Sequence, residues 1–576
     1  MTATSSQSQG TKTWQNNGDL AVRLICWATR LVGLLTLGEV IFLGHHKPRH
    51  PVTLWFDLPV EATVAAIAVA VAAAVGLLLL ATGLRRRKRR AWQIAVLTTA
   101  VIAALALGFH HGPATGITSI ALLVALVLKR REFTALPEPA MGKWPAIAVF
   151  VEMLAGGIVV NLLIILFNQR DLIGKPGFGA MVQHAALTLV GIEGPITFHG
   201  EFLDDATATL GLVFGIGAVL LGGYFLLRSA EPRPSLSHAD EIRIRELLAA
   251  YGNQDSLGYF TLRRDKSVVF SPSGKSALGY RVLAGVALSS GDPLGDIEAW
   301  PGAIEEYLTA CSRHGWVPAV LGCSERAANV WHRYGLTVLE LGDEAVVETA
   351  SYTLEGRKMR GVRQTVNKVS RAGYTSRVRR SKDIDDLEHA DLARLADEWR
   401  GAETERGFSM ALSRLADSAD PECVVVTAER DGRVRGMLQF VPWGEDGLSL
   451  DLMRRDREAD NGLNEFMITE TLGACADLGV RNVSLNFAMF RAALERGERI
   501  GAGPIARLWA RALRLGSRWW QIETLYRFNA KFRPNWVPRY LIFPAVRDLP
   551  RIALAAMEAE GFGGRPPALL RMLRRS

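Results

Sequence analysis

ECVVVTAERDGRVRGMLQFVPW, Glu422 to Trp443, decides the fold class. Apolar and polar residues alternate on both sides of Asp431-Gly432. Period-two alternation buries one face of each arm, and Asp-Gly between such arms is a strong hairpin signal. The surroundings of this hairpin mix both element types. A helix pattern near Leu387–Arg400 precedes it. After it come LSLDLMRR (448–455), a helix near Leu463–Leu478 and VSLNFAMF (483–490). A helix near Ile505–Leu515 and a last strand, RYLIFP (539–544), complete the order. Alternation of this kind predicts a mixed α/β domain.

A similar order stands upstream. SHADEIRIRELLAAYG opens with a capping pattern, Ser237 followed three residues later by Asp240. Strands are expected at YFTLR (259–263), VVFS (268–271), ALGYRVL (277–283), VALSSG (286–291) and VPAVLG (317–322). TVLELG and AVVETA read as two further strands, and helices are expected near Ala303–Arg313 and Glu325–Tyr334. The reading is two α/β lobes, 237–355 and 374–550, with a connecting segment at 356–373 and a basic tail at 551–576. That tail, ending LLRMLRRS, suits either an anionic membrane surface or packing on the second lobe.

The first part of the chain is of another kind. Residues 1–19 are polar and read as disordered, with no cleavable signal-peptide pattern. Residues 20–228 contain six apolar stretches, at about Ala21–Leu43, Ala62–Leu84, Ala91–Phe109, Pro113–Leu128, Trp144–Phe167 and Ala206–Leu227. They are expected to form a helical membrane bundle of about six spans. RRRKRR (85–90), KRR (129–131) and Arg228 with Arg233 follow the second, fourth and sixth stretches. The positive-inside rule then puts both the N-terminus and the α/β part in the cytoplasm of a multi-pass cell-membrane protein. HHKPRHP (45–51) is mildly basic on the expected outside. Glu39 and Glu152 fall inside spans, where an ionisable group is a functional candidate. GFGAMVQHAALTLVGI, within the loop Asn168–Asp205, reads as an interfacial or re-entrant helix.

The net charge of +9 over 576 residues suits an anionic partner. Gly356 to Lys382 holds ten basic residues and no acidic one. Arg360, Arg363, Lys368 and Arg371 lie near one helical stripe there and suit a phosphate chain. Five cysteines without a CxxC pair support neither disulfides nor zinc. His314, His332 and His389 have no metal-ligand spacing, so neither metal nor cofactor is expected. A coenzyme A cradle would need (R/Q)xxGx(G/A) after the central strand; RDREADNGLN (455–464) lacks it.

Five segments together resemble the C-terminal domain of the bacterial phosphatidylglycerol lysyltransferases, the multiple peptide resistance factors. They are YFTLRRDKSVVFSPSGKSALGYRV, GVALSSGDPLGD, MRGVRQTVNKVSRAG, SLDLMRR with NGLNEFM, and LYRFNAKFRPNWVPRYLIFP, across roughly residues 240 to 548. The resemblance implies a tandem acetyltransferase-like (GNAT) double lobe. It also implies transfer of an amino acid, lysine first, from aminoacyl-tRNA to phosphatidylglycerol. The product lowers membrane negative charge and weakens attraction of cationic antimicrobial peptides. Alanine, arginine or ornithine, and another hydroxylated lipid, are alternatives. A lipid transporter or a membrane sensor with an inactive lobe is the rival of another class. Well-known members carry a larger membrane region with a lipid-flipping unit. Some relatives fuse a lysyl-tRNA synthetase after this domain, so with the chain ending at Ser576 charged tRNA is expected in trans. A homo-oligomer is compatible with the sequence.

Matching positions carry the family's site onto this chain. Asp451, Arg454 and Lys531 are the catalytic candidates. Ester exchange needs a proton acceptor and oxyanion stabilisation. Asp451 is a candidate to orient or deprotonate the hydroxyl, or to bind the α-amine. Lys531 is a candidate for the oxyanion or the leaving oxygen, and Arg454 for phosphate or for locking Asp451. Asp292 in the turn SSGDPLGD, together with Asn486, Arg491, Arg533 and Arg539, are further substrate candidates. Phe528, Phe532 and Trp536 recur every four residues and read as a core-facing helical stripe.

Overall fold

The computed structural model describes residues 19–44, 60–108, 113–133, 135, 144–192, 194–227, 232, 234–401, 407–415, 417–489 and 522–561. The chain divides into two compact units. The first holds α1 (Asp19–Gly44), α2 (Val60–Arg85), α3 (Arg89–Gly108), α4 (Pro113–Leu128), α5 (Trp144–Phe167), α6 (Phe178–Thr188) and α7 (Glu201–Leu227).

Helices thus occupy all six expected stretches. Among the described residues, three helices are long and apolar enough to cross a membrane: Leu20–Gly38, Ala146–Phe167 and Phe202–Gly223. Ala73–Arg85 and Thr115–Leu128 are shorter apolar stretches. Of the six expected spans, three are thus shown by length and composition. Length sets α4 apart from them: its 16 residues rise only about 24 Å, short of a hydrocarbon core of about 30 Å. Glu152 is exposed on α5. Asn161, on the same helix, donates to the Gly157 carbonyl at 3.2 Å. Glu39 lies in α1, and its side chain is outside the described residues.

The second unit begins with α8 (His238–Tyr251), capped by Ser237, whose Oγ accepts from the Asp240 amide. There follow β1 (Ser267–Phe270), β2 (Ser276–Leu283), β3 (Val286–Ser290), β4 (Leu294–Gly295), α9 (Trp300–His314), β5 (Val317–Cys323), α10 (Glu325–Arg333) and β6 (Thr337–Glu348). Next are α11 (Arg360–Arg371), β7 (Thr375–Arg380), α12 (Asp386–Arg400), β8 (Val424–Arg430), β9 (Arg433–Trp443), β10 (Gly447–Arg455), α13 (Leu463–Ala474) and β11 (Asn482–Met489). The last described elements are α14 (Ile522–Ala530), β12 (Asn535–Phe543) and α15 (Leu549–Ala559). The opening hairpin is β8–β9, with Arg430 facing Arg433 across Asp431-Gly432.

All twelve strands join one sheet, in the order β1-β2-β3-β5-β12-β6-β11-β10-β9-β8-β7, with β4 on β2. Among the described residues two large apolar cores line it, with a smaller one of Ile384, Leu392, Ala396, Val425 and Met437. One gathers Ile244, Leu288, Leu321, Leu541, Phe543 and Ile552. The other gathers Val362, Val366, Val369, Phe440, Leu448, Phe466, Leu485 and Phe532. The sheet therefore runs on through both sides of the connecting segment expected at 356–373. β12, from the end of the chain, lies between β5 and β6. α15 follows it, placing Ile552 and Ala555 in the first core.

Three local expectations change. YFTLR is a 3-10 segment, Gly258–Leu262, not a strand. The Arg263 amide and the Lys266 ammonium both donate to the Phe260 carbonyl, which holds the turn. TVLELG and AVVETA are one strand, because the intervening Asp343 and Glu344 are buried rather than turning. The Phe528, Phe532, Trp536 stripe faces the core but is not helical. α14 ends at Ala530, Phe532 follows it, and Trp536 is in β12. The helix expected within Asn168–Asp205 is present as α6. Arg491 and the helix expected near Ile505–Leu515 lie outside the described residues.

Candidate active site

Side chains alternate between the faces of a strand. On β6, β11, β10 and β9, one set enters the second core under α13: Ala345, Val347, Val483, Leu485, Leu448, Leu450, Leu438 and Phe440. The residues between them, Val346 apart, are polar, as are Glu344 and Asp451 beside them. Glu344, Ser484, Ser449, Asp451 and Gln439 form a row across the face opposite α13. Ser449 and Ser484 are register partners, and the Ser449 hydroxyl donates to the Ser256 carbonyl at 2.7 Å.

Asp451 sits on a β-bulge. Leu450 pairs with Phe440 and Leu452 with Gln439, which leaves Asp451 as the extra residue. A bulge bends the strand and re-aims a side chain. Asp451 Oδ1 accepts from the Leu412 amide at 2.6 Å, and Oδ2 from Gln439 Nε2 at 2.6 Å. Burial pushes the acid up to about 6, against the pull of those two donors and of the Arg263 and Arg414 charges. The residue as a whole is only partly buried. A carboxylate oxygen has more than one lone-pair site, so Asp451 keeps capacity to accept a proton. A base that titrates near neutrality is matched to general-base work.

The segment over this site is tied down from several sides. Arg263 donates to the carbonyls of Gly407 and Ala411 while paired with Asp265. Arg414 pairs with Asp420 at 2.5 Å and donates to the Leu262 carbonyl at 2.9 Å. Glu560 accepts from the Phe408 and Ser409 amides and the Ser409 hydroxyl. Nearby, fully buried Lys266 donates to Ser290 Oγ at 2.8 Å and stands 4.5 Å from the Phe408 ring centre. Burial, helped by the Arg263 charge, brings its ammonium down to about 7.

The expected catalytic trio is not brought together. Arg454 donates to the Ala396 carbonyl at 3.2 Å. Both Asp451 oxygens instead take the Leu412 and Gln439 donors. Lys531 pairs with Glu465 at 2.7 Å, and its side chain is 46% exposed. Glu465 belongs to the first turn of α13, so this pair lies on the sheet face opposite Asp451.

Arg539 is not a free phosphate ligand. It is buried, and its guanidinium donates to Glu344 Oε2, Asp255 Oδ1 and Ser256 Oγ. Glu344 Oε1 also accepts from Ser256 and Ser484. Asp292 belongs to the same buried neighbourhood. It accepts from the amide and hydroxyl of Ser324, the N-cap of α10. Burial, and then the Asp255 charge, raise its acid to about 7. Asp292 thus holds the start of α10. Arg533 is exposed with φ 54°. Asn486 lies in β11, and its side chain is outside the described residues.

The basic helix is α11. Val362, Val366 and Val369 fasten one side in the second core. Arg360, Lys368 and Arg371 are exposed on the other, while Arg363 reaches back to the Leu354 carbonyl at 2.5 Å.

The sequence reading missed Gln439, Glu344, Arg263, Arg414 and Lys266. Gln439 carried a signal: it is a polar residue in an otherwise apolar strand, GMLQFV. Glu344 was hidden in GDE, which reads as a turn.

Residues 245–543 match the family described as phosphatidylglycerol lysyltransferase, C-terminal, over half of the chain. The chain belongs to this family. The lysylphosphatidylglycerol biosynthesis bifunctional protein LysX of Rhodococcus opacus is 44% identical over 541 residues, covering 92% of this chain and 47% of that protein. LysX of Mycobacterium tuberculosis is 44% identical over 501 residues, covering 84% and 42%. This phosphatidylglycerol lysyltransferase family member thus spans about half the length of the curated relatives it matches. The solved structure of L-PGS from Bacillus licheniformis is 20% identical, with a TM-score of 0.46, covering 58% of this chain and 99% of that one.

Proposed function

We propose that the chain is an aminoacyltransferase moving an amino acid from aminoacyl-tRNA to the glycerol hydroxyl of phosphatidylglycerol. The carrying observation is Asp451, a partly buried carboxylate titrating near 6 on a bulge and held by two donors. In this reading Asp451 accepts the hydroxyl proton as the lipid oxygen attacks the aminoacyl carbonyl carbon. A new ester forms, the bond to the ribose oxygen breaks, and that oxygen takes up a proton. Family membership supports the reaction class. Lysine is the leading donor residue, in keeping with the names of the relatives; alanine, arginine or ornithine are the alternatives.

The exposed face of α11 is proposed to hold tRNA phosphates through Arg360, Lys368 and Arg371. Lys531, exposed and on the other sheet face, is proposed as an anion contact rather than the proton carrier. The tandem acetyltransferase-like description is proposed for the second unit. For the first unit we propose a multi-pass membrane domain of about six spans, with the catalytic unit cytoplasmic. Product formation would then lower membrane negative charge and weaken attraction of cationic peptides.

The test is lipid extraction after expression in a bacterial host lacking aminoacylated lipids. A new ninhydrin-positive cationic lipid that disappears with Asp451→Asn supports the reading. Its absence from membranes containing the intact protein rejects it.

A further inference from the structure

The first unit contains more than spans. The eleven residues of α6 rise about 16 Å, roughly half the thickness of a hydrocarbon core. Its C-terminal end meets the middles of two long helices. A Cβ on Gly157 of α5 would collide with Leu189, and one on Gly211 of α7 with Thr188. A Cβ on Gly215 of α7 would overlap the Leu189 carbonyl oxygen. The chain turns there on hydrogen bonds from the Val190 and Ile192 amides to Leu187 and from the Gly191 amide to Thr188. It then comes back beside α6. His184 Nδ1 on α6 accepts from the Ile196 amide of the returning arm at 3.3 Å. The mouth closes where Leu172 and Phe198 bridge. In the proposed membrane placement this is a re-entrant hairpin. Non-helical backbone at membrane depth persists only when it is buried in protein or lines a cavity.

This tip lines a cavity. A half-enclosed space of about 460 Å³ lies between the tip and α2, α3, α5 and α7. Leu189 and Val190 form one wall, and Ile94, Leu154 and Leu212 are among the others. The side chain of Thr98, a polar residue in the lining, donates to Ile94 of its own helix at 2.7 Å. Leu97 and Val190, at the rim, are 66% and 46% exposed. Water needs two to four polar partners to occupy such a space. These walls do not supply them. An opening toward a bilayer admits the surrounding solvent, which is hydrocarbon, and leaving it empty forfeits dispersion attraction along the lining.

We infer that this cavity, beneath the re-entrant hairpin, holds an acyl chain of a membrane glycerophospholipid. The inference rests on the proposed membrane placement of this unit. It makes the unit a lipid-holding element as well as an anchor.

Two glycines give a clean test. Gly76 of α2 and Gly223 of α7 line the cavity, and a Cβ built on either meets nothing within 4 Å. Gly76→Leu and Gly223→Leu therefore fill the space from opposite walls without a backbone collision. The full chain is reconstituted in vesicles containing phosphatidylglycerol or phosphatidylcholine with a diazirine on one acyl chain, then irradiated and mapped by peptide mass spectrometry. Label is expected on the peptides carrying Leu97, Val190 and Leu212, falling several-fold in whichever leucine variant stays folded by thermal melting. Labelling from both lipids marks a general acyl-chain site, and labelling from phosphatidylglycerol alone ties the site to the acceptor. Label confined to outward residues such as Val151 and Val159, and unchanged by the leucines, overturns the inference. Alkaline carbonate extraction is run in parallel. A chain that carbonate releases defeats the membrane placement itself, whereas a retained chain with no cavity label defeats only the acyl-chain site.

Discussion

Gln439 donates to Asp451 at 2.6 Å across the β-bulge while its amide also donates to the Arg414 carbonyl at 2.8 Å. The glutamine therefore fixes the carboxylate and stabilises its charged form. Gln439→Ala removes that donor, so the Asp451 acid rises above about 6. The acidic limb of the kcat/KM profile should move to higher pH, with a lower plateau. An unmoved limb in a folded variant would show that Asp451 is not the titrating base.

Asp451→Asn should reduce turnover by about 10²–10⁴, the range for a lost general base. Its stability effect has the opposite sense. The folded acid titrates near 6, and an unfolded aspartate near 3.9. The folded state thus favours the protonated form, and that contribution fades as pH rises from about 4 to about 6. The asparagine variant should gain stability relative to the parent above pH 6 and lose that advantage below pH 4. Thermal melting at pH 4 and pH 8 measures the difference, and a reversed order would contradict the assigned shift.

Arg539 is an architectural cation. Its removal strands Glu344 and Asp255 in the interior, and breaking such a buried pair costs about 3–5 kcal/mol. Arg539→Met should therefore unfold at markedly lower temperature. The double variant Arg539→Met/Glu344→Gln should recover part of the loss. A normally stable single variant lacking only activity would return Arg539 to the substrate.

On α11, replacing Arg360, Lys368 and Arg371 with glutamine should raise KM for aminoacyl-tRNA and leave kcat nearly unchanged. The salt dependence of tRNA binding should flatten by about 0.7–0.9 in log–log slope for each phosphate that is no longer neutralised. Val366→Ala loses core packing instead, and should lower stability without changing that slope.

Lys531 and Glu465 test a different distinction. A pair whose cation is 46% exposed is screened by solvent and is worth about 1 kcal/mol. Lys531→Gln should leave the melting temperature nearly unchanged while lowering turnover. Full activity would remove Lys531 from the site.

The legible features were those with a local cause. Period-two alternation around Asp431-Gly432 placed the hairpin, and Ser237 with Asp240 placed the start of α8. Positions matching the family's motif named Asp451. The partners of Lys531 and Arg539 were not legible for one reason. A cation in a strand or turn looks the same in sequence whether it faces phosphate, a surface glutamate or buried carboxylates. YFTLR was read as a strand because aromatic and β-branched content favours one, and no local signal shows Lys266 gripping the Phe260 carbonyl.

By itself the sequence determined an apolar helical part, an α/β part, a basic helix and an aspartate at a strand end. Periodicity, charge and turn chemistry act over a few residues and survive in one dimension. Only tertiary structure decided that β12 crosses back between β5 and β6, and that Asp451 and Lys531 lie on opposite faces of one sheet. It also decided that the end of α6 packs closely against α5 and α7. Strand order and facing depend on which distant surfaces bury each other, and register there follows from a bulge that no single stretch encodes.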